Sequence, residues 1–276
     1  MMGQITHLLV MEDDLSRIGL IDEQDIVLDE AALSLALLDH EGIDLVSYEG
    51  LLAEVSSRLS EVGSDAATSA DRAECLSQVN ADEFGFVGDR DTYDDPDNAD
   101  LIRVIDRRRG LPVSLSILYV AAARRIGWSA DVLDLPGHVL VMVGHEAAPV
   151  IVDPFRGGVR VEVEGVAALL AAAGSAPAPV RHIAAMPNRA VLVRLLLNQA
   201  TRAEAAGRGR RALTLYARMT AMAPGYPHAW WERARLELVD GDVPAARRSL
   251  SAMLEITREP PLRKRISATL ASLASQ

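Results

Sequence analysis

Apolar residues recur at helical spacing through the first part of the chain. Between residues 29 and 62 this pattern predicts helical structure, with Asp29 as the N-cap and Gly42 as a stop. A further helix is predicted around Cys75. The acidic segment 84–101 that follows is too rich in Gly, Asp and Pro for regular structure, and a loop of this length inside a compact domain is usually functional.

The spacing of apolar residues changes in the middle of the chain. Pro112 lies in the first turn of the strongest predicted helix, 113–126, and Gly127 closes it. Extended runs then predict strands, the last of them alternating with a period of two; they span 130–135, 138–143, 150–153 and 159–164. A helix followed by antiparallel strands indicates an α+β core.

The last third of the chain is predicted to be helical and repeats with a period of 34 residues. The shift superposes Leu196 on Trp230, Ala200 on Ala234, Gly207 on Gly241, Ala212 on Ala246, Tyr216 on Leu250 and Met219 on Met253. This pattern is typical of tetratricopeptide hairpins, in which Ala lets two helices approach and Gly makes the turn. Segment 260–273 is expected to cap the repeats. The Ala/Pro-rich segment 171–182 predicts a boundary between domains 1–182 and 183–276.

Composition excludes several function classes. The 28 Lys+Arg and 39 Asp+Glu residues give a net charge of −11, which argues against a nucleic-acid partner. A single cysteine, Cys75, excludes an intramolecular disulfide framework and a cysteine-rich zinc site. The N-terminus lacks a signal-peptide pattern, and no apolar run approaches the ~20 residues of a membrane helix. We therefore expect a soluble, cytoplasmic protein without a cofactor, a metal or a membrane partner.

Three residues of the central segment carry candidate chemistry. Ser114 lies at a helix start, His138 at a strand start and Asp153 at a strand end. If the two strands pair with Val143 opposite Val150, the His and the Asp occupy diagonal positions on one face, ~7–8 Å apart. This is the layout of a nucleophile–His–Asp triad.

Each of the three residues also has a structural interpretation. Ser114 can cap its helix. His138 can bond to a backbone group after the Pro-Gly turn that precedes it. Asp153 can close a turn ahead of Gly157 and Gly158, and this role is compatible with a bond to the histidine. All of these alternatives remain open from the sequence.

At these residues the chain resembles a known family. The runs GDRDTYDDPDNADLIRVIDRRRGLPVSLSILYVAAARRIG, LPGHVLV and VDPFRGG are similar to SirB-type transglutaminase-like proteins with C-terminal tetratricopeptide-like repeats. The resemblance covers roughly residues 25–275. It implies a papain-like transglutaminase-like core, with a helical part before it and an all-α repeat domain after it. It also implies that His138 and Asp153 are the histidine and aspartate of that core.

The resemblance implies that the cysteine nucleophile of active members is replaced by Ser114 or a direct neighbour. A helix N-terminus and a nearby His can ionise a Cys, whereas a Ser needs a general base and a suitably placed oxyanion hole. The first hypothesis is therefore a non-catalytic interaction or regulatory protein. The alternative is a hydrolase or acyltransferase with Ser114 as nucleophile, His138 as base and Asp153 as orienting residue. A third is a scaffold with a vestigial pocket.

Other conspicuous residues have plainer interpretations. Cys75 lies outside every matched motif and is expected to be a small core residue. The acidic run 89–98 lacks the residue order of an EF-hand and predicts an ordered loop, in which Asp95 and Asn98 satisfy backbone donors. The RRRG at 107–110 either binds an anion or neutralises that loop.

The two adjacent tryptophans bear on the partner prediction. Trp230 is predicted to pack in the core of the repeats. Trp231 either anchors a peptide in the groove of the repeats or packs against the preceding repeat. The predicted partner is therefore a protein or peptide bound by the helical repeats.

Overall fold

A computed structural model describes residues 15–144, 148–172 and 184–274. The described chain divides into two compact units. One consists of residues 23–195, and the other of residues 196–274 together with 15–22. The division falls within a helix, and most of the segment 171–182 lies outside the described residues. The boundary at 182/183 stays a prediction.

The first unit is built of helices around a small sheet. Its helices are α1 (Leu28–Leu37), α2 (Val46–Val62), α3 (Ser69–Ser77), α4 (Leu101–Arg107), α5 (Pro112–Arg125) and α6 (Val163–Ala172), and it shares α7 (Asn188–Ala205) with the second unit. Its strands are β1 (Val87–Gly88), β2 (Arg109–Gly110), β3 (Ala130–Leu135), β4 (His138–Val143), β5 (Val150–Asp153) and β6 (Val159–Arg160). A π-helical segment, Gln78–Glu83, extends α3, and 3₁₀ turns occupy Pro96–Ala99 and Pro154–Arg156. The architecture confirms the predicted α+β class.

Helix α5 is the centre of this unit. It begins at Pro112, which needs no N–H partner in the first turn, and Gly127 follows its end with φ of +80°. Every residue from Pro112 to Ala123 is buried. A helix that is apolar on all sides is a core helix, and here α1, α2 and the sheet pack around it.

Within the described residues, β3 to β6 form an antiparallel sheet in that order. Val143 lies opposite Val150, so the predicted register of the β4–β5 pair is confirmed. The predicted strand 159–164 is wrong beyond Arg160, because Val163 already begins α6. Val166 and Leu170, four residues apart on α6, are buried against the sheet, and this helical spacing prevails over the short period-two pattern before it.

Two predicted helix signals are also wrong. Helix α1 begins at Leu28 with Val27 as its N-cap, so Asp29 lies inside the first turn. The Asp29 side chain is fully buried and forms an ion pair with Arg125 at the end of α5. The helix ends at Leu37, and Gly42, with φ of +81°, serves the turn that follows. An acidic residue at a helix start can be the N-cap, or it can lie in the first turn and pair with another element. Only the tertiary contact distinguishes these two roles.

The second unit consists of helical hairpins. Beyond α7 it contains α8 (Gly209–Met222), α9 (Pro227–Val239), α10 (Val243–Ile256) and α11 (Pro260–Ala274). Helices α8 and α10 begin 34 residues apart and also end 34 residues apart. The small residues at the repeated positions are buried: Ala200, Ala212, Ala234 and Ala246. Gly207 and Gly241 have positive φ angles at the two turns, as the predicted repeat requires.

Both tryptophans contact the core of this unit. Trp230 packs, partly exposed, against a buried cluster that includes Ala234 and Met253, and its Nε1 donates to the carbonyl oxygen of Pro224 at 2.8 Å. Trp231 contacts the same cluster, and the Arg265 guanidinium lies 4.3 Å from its ring centroid. Its predicted role as a peptide anchor stays a prediction.

We expect Arg125→Met to lower the free energy of unfolding by about 3 kcal/mol, because it leaves the Asp29 carboxylate buried without its ion-pair partner. Urea denaturation measures this loss. The matched control is Arg58→Met, which breaks exposed ion pairs with Glu61 and Glu83 and should cost less than about 1 kcal/mol. Equal losses in the two variants would contradict the role given to the buried pair.

Candidate functional site

The fold brings His138 and Asp153 together. Gly137, with φ of +78°, closes the β3–β4 turn, and His138 is the first residue of β4. The β4–β5 register then places the two side chains on one face, with His138 Nε2 2.9 Å from Asp153 Oδ2. The Asp153 side chain is only 4% exposed, whereas that of His138 is 17% exposed. The pair therefore has a buried acidic end and an accessible imidazole end.

Asp153 combines both of its predicted roles. Its Oδ1 accepts a hydrogen bond from the Phe155 backbone N–H at 3.0 Å, which caps the 3₁₀ turn after β5. Its Oδ2 faces His138, with Arg156 Nε 3.5 Å away. In a hydrogen bond to a carboxylate the imidazole nitrogen donates, so Nε2 faces Asp153 as the donor and Nδ1 is the second ring nitrogen.

A cleft of about 710 Å³ opens beside this pair. Its polar lining comes from His138, Asp153 and Arg156, and its apolar lining includes Val161, Ala168 and Leu169. A few polar groups set in an apolar wall are typical of ligand pockets, since the walls supply affinity and the polar groups fix orientation.

Aromatic rings lead from the imidazole to the acidic loop. The Phe155 ring meets His138 edge to face, with centroids 6.5 Å apart, and it meets Tyr93 in the same manner at 5.7 Å. Tyr93 is 41% exposed. Phe155 and Arg156 are site residues that the sequence analysis missed, although both belong to the VDPFRGG run that it quoted.

Ser114 is occupied by backbone contacts at the start of α5. Its buried hydroxyl donates to the carbonyl oxygen of Asn98 at 2.7 Å and accepts from the Leu111 backbone N–H at 3.0 Å. Ser114 is not one of the described residues that line the cleft, whereas His138 and Asp153 both line it. The structure therefore joins two members of the predicted triad and gives the third a capping geometry.

Two further hydroxyls of α5 lie buried behind the site. Ser116 Oγ and Tyr119 OH have no hydrogen-bond partner in the described part of the chain. Burial, reinforced by the negative charges of Asp82 and Asp153, raises the pKa of Tyr119 well above its ordinary value. Tyr119 thus stays neutral on the core side of Asp153. The SLSILY run contains both residues, but its spacing does not reveal their missing partners.

Side chains of the acidic loop bond to its own backbone and to a neighbouring arginine. Asp89 accepts from the backbone N–H and hydroxyl of Thr92, and Arg107 NH2 lies 2.9 Å from it. Asp95 accepts from the Asp97 backbone N–H, as predicted, whereas Asn98 donates to the carbonyl oxygen of Thr92. One arginine of the RRRG run, Arg107, thereby pairs with a carboxylate of the loop.

Further predicted features can be located on the structure. Cys75 is half-buried, and burial, together with Asp71 and Glu74, raises the pKa of its thiol. In the ranges that the structure describes, no three His, Cys, Asp or Glu side chains converge to hold a metal ion. The described helices include none that is long and apolar enough to cross a membrane.

The acidic loop should make stability depend on pH. Burial opposes ionisation of Asp89, but hydrogen bonds from Thr92 and Asn98 and the charge of Arg107 outweigh it and lower the pKa of Asp89 to about 2. A lowered pKa stabilises the folded state above the unfolded value of 3.8, and this contribution is lost as the pH falls through 2.

We therefore expect Asp89→Asn to lower the free energy of unfolding by about 2 kcal/mol near pH 7, and by progressively less between pH 4 and pH 2. Denaturant titrations across that range measure the difference. Asp91→Asn changes an exposed neighbour and should cost less than about 0.5 kcal/mol. A pH-independent difference would contradict the role assigned to the carboxylate.

Ser114→Ala should lower the free energy of unfolding by about 1 kcal/mol, because Asn98 loses a donor while Leu111 N–H keeps the Asn98 carbonyl as its partner. Urea denaturation measures the change, and Ser60→Ala, on the exposed face of α2, is the control. Unchanged stability in Ser114→Ala would show that the hydroxyl does not hold this backbone.

Comparisons with known proteins agree with this architecture. The UPF0162 protein of Xylella fastidiosa is 27% identical over 241 residues, which cover 86% of each chain. The UPF0162 protein of Vibrio cholerae is 32% identical over 87 residues, 31% of this chain and 32% of its own. F-box only protein 21 of Mus musculus is 32% identical over 68 residues, 25% of this chain and 11% of that protein. Residues 47–197, more than half of the chain, match the family model of the transglutaminase-like superfamily, and the protein belongs to that superfamily.

Proposed function

We propose that this protein is a non-catalytic member of the transglutaminase-like superfamily that binds protein partners through its cleft and its helical repeats. In this proposal the His138–Asp153 pair is a recognition element. The assignment to the SirB-type group, and of the hairpins to the tetratricopeptide class, is part of the same proposal. The motif order in the sequence and the 34-residue spacing of α8 and α10 support it.

One observation carries the non-catalytic part of the proposal. A nucleophile must present its proton to the base and its lone pair to the substrate. The Ser114 proton is donated to the Asn98 carbonyl oxygen, and the Leu111 backbone N–H takes a lone pair. The only cysteine of the chain, Cys75, is on α3 and has a raised thiol pKa. Neither residue is prepared to attack an acyl group.

The cleft supports the binding part. Its apolar lining accommodates an apolar side chain, while Arg156 offers donors to a backbone carbonyl or a carboxylate, and His138 has a second ring nitrogen besides the one that meets Asp153. Tyr93 and Phe155 extend the surface on one side with rigid rings, a residue type enriched at protein interfaces. A peptide segment of a partner protein suits this combination.

The catalytic part is tested with a fluorophosphonate probe, which labels activated serines. Intact mass spectrometry of the full chain should show no adduct on the wild type. The hydrolase or acyltransferase alternative expects an adduct at Ser114 that disappears in both Ser114→Ala and His138→Ala. That result would overturn the proposal.

The binding part is tested by placing a photo-crosslinking amino acid at position 156, at the mouth of the cleft, in cells that express the full chain. We expect saturable crosslinking to a protein, lost when His138→Ala is added. Position 103, exposed on α4, is the control site. Equal crosslinking at both positions, or a yield insensitive to His138→Ala, would contradict binding in the cleft.

A further inference from the structure

Charge is divided unevenly along this chain. Residues 1–195 contain 15 Lys+Arg and 32 Asp+Glu, a net charge of −17, whereas residues 196–276 contain 13 and 7, a net charge of +6. The total of −11 therefore conceals a basic helical unit. Such an asymmetry of charge between two parts of a chain indicates an oppositely charged partner for the basic part.

Several acidic side chains of the helical unit form ion pairs within it. Glu204 and Glu232 both pair with Arg235. Glu237 is buried, pairs with Arg233 at 2.9 Å and is only 4% exposed. Three of the seven acidic residues between 196 and 276 are thus paired with two arginines of the same unit, and the net charge of +6 stays as the sequence gives it.

Helices α8 and α10 carry exposed arginines. Helix α8 contains three Arg and no Asp or Glu, and Arg210 is 93% exposed with its carboxylate neighbour Asp240 at 3.9 Å. On α10, Ala246 and Leu250 face the core, while Arg247 and Arg248 are exposed and meet no carboxylate in the part of the chain that the structure describes.

We propose that Arg210, Arg247 and Arg248 form a basic face that docks an acidic peptide segment of a partner protein. Guanidinium groups bind carboxylates in a two-point geometry, which suits Glu- or Asp-rich peptides. This proposal rests on the proposed binding function and gives the partner a chemistry, with contact residues other than those of the cleft and Trp231.

A short peptide fits this face better than a nucleic acid does. A helix of 14 residues such as α8 is about 21 Å long, and electrostatic interactions decay over about 8 Å at physiological salt. A short acidic segment therefore meets only the local positive charge. A DNA duplex carries a charge about every 1.7 Å and extends well past a helix of this length, and the chain as a whole carries a net charge of −11.

The test uses fluorescein-labelled deca-glutamate and the full chain, with fluorescence anisotropy at 50 mM and 200 mM NaCl. We expect binding at 50 mM that weakens about tenfold at 200 mM. The double variant Arg247→Glu/Arg248→Glu should bind at least tenfold more weakly. The control Arg90→Glu/Arg109→Glu makes the same change in net charge at exposed arginines of the other unit, and should stay within twofold of wild type.

The basic face is contradicted if deca-glutamate does not bind at 50 mM NaCl, or if both double variants lose the same affinity for it. It is also contradicted if a 20-nucleotide DNA binds more tightly than deca-glutamate and Arg247→Glu/Arg248→Glu abolishes that DNA binding. Circular dichroism checks folding, and Arg247→Gln/Arg248→Gln, with an expected threefold loss, replaces a variant that unfolds. Crosslinking from position 156 is independent of this face, so failure of one proposal is distinguishable from failure of the other.

Discussion

The burial of α5 from Pro112 to Ala123 is the constraint on which the transglutaminase-like unit depends. A helix segment without a solvent face must be enclosed by other elements, and the groups at its ends need partners inside the fold. The enclosing elements are α1, α2 and the sheet. At the two ends of the helix, Ser114 meets the carbonyl of Asn98 and Arg125 meets Asp29. The site is built on this core, because β4, which begins at His138, and the 3₁₀ turn after Asp153 pack against it.

How far the sequence predicts the site depends on how local each contact is. Supposing a hairpin between the two extended runs was sufficient to set Val143 opposite Val150, and this register brings His138 to Asp153 on one face. The partner of Ser114 lies 16 residues away in an irregular loop, and that of Asp29 lies 96 residues away. No spacing rule reaches such pairs, so a capping role and a chemical role remain equivalent until the chain is folded.

The two units handle charge in different ways. Around the cleft, an acidic loop is held by Arg107, and the buried Asp153 is matched by a histidine and an arginine, so that negative charge is used to order the structure. In the helical unit, carboxylates form ion pairs with Arg233 and Arg235, and other arginines remain on the surface. The overall negative charge therefore describes neither surface that a partner would meet.

The contact between Ser114 and Asn98 limits which residues position 114 can hold. Introducing a cysteine there replaces a short, strong hydrogen-bond donor by a larger and weaker one at a fully buried position. The same bond joins the start of α5 to the acidic loop that contains Asn98, so a change at either end is felt at the other. The helix start and the loop therefore tolerate substitution only as a pair.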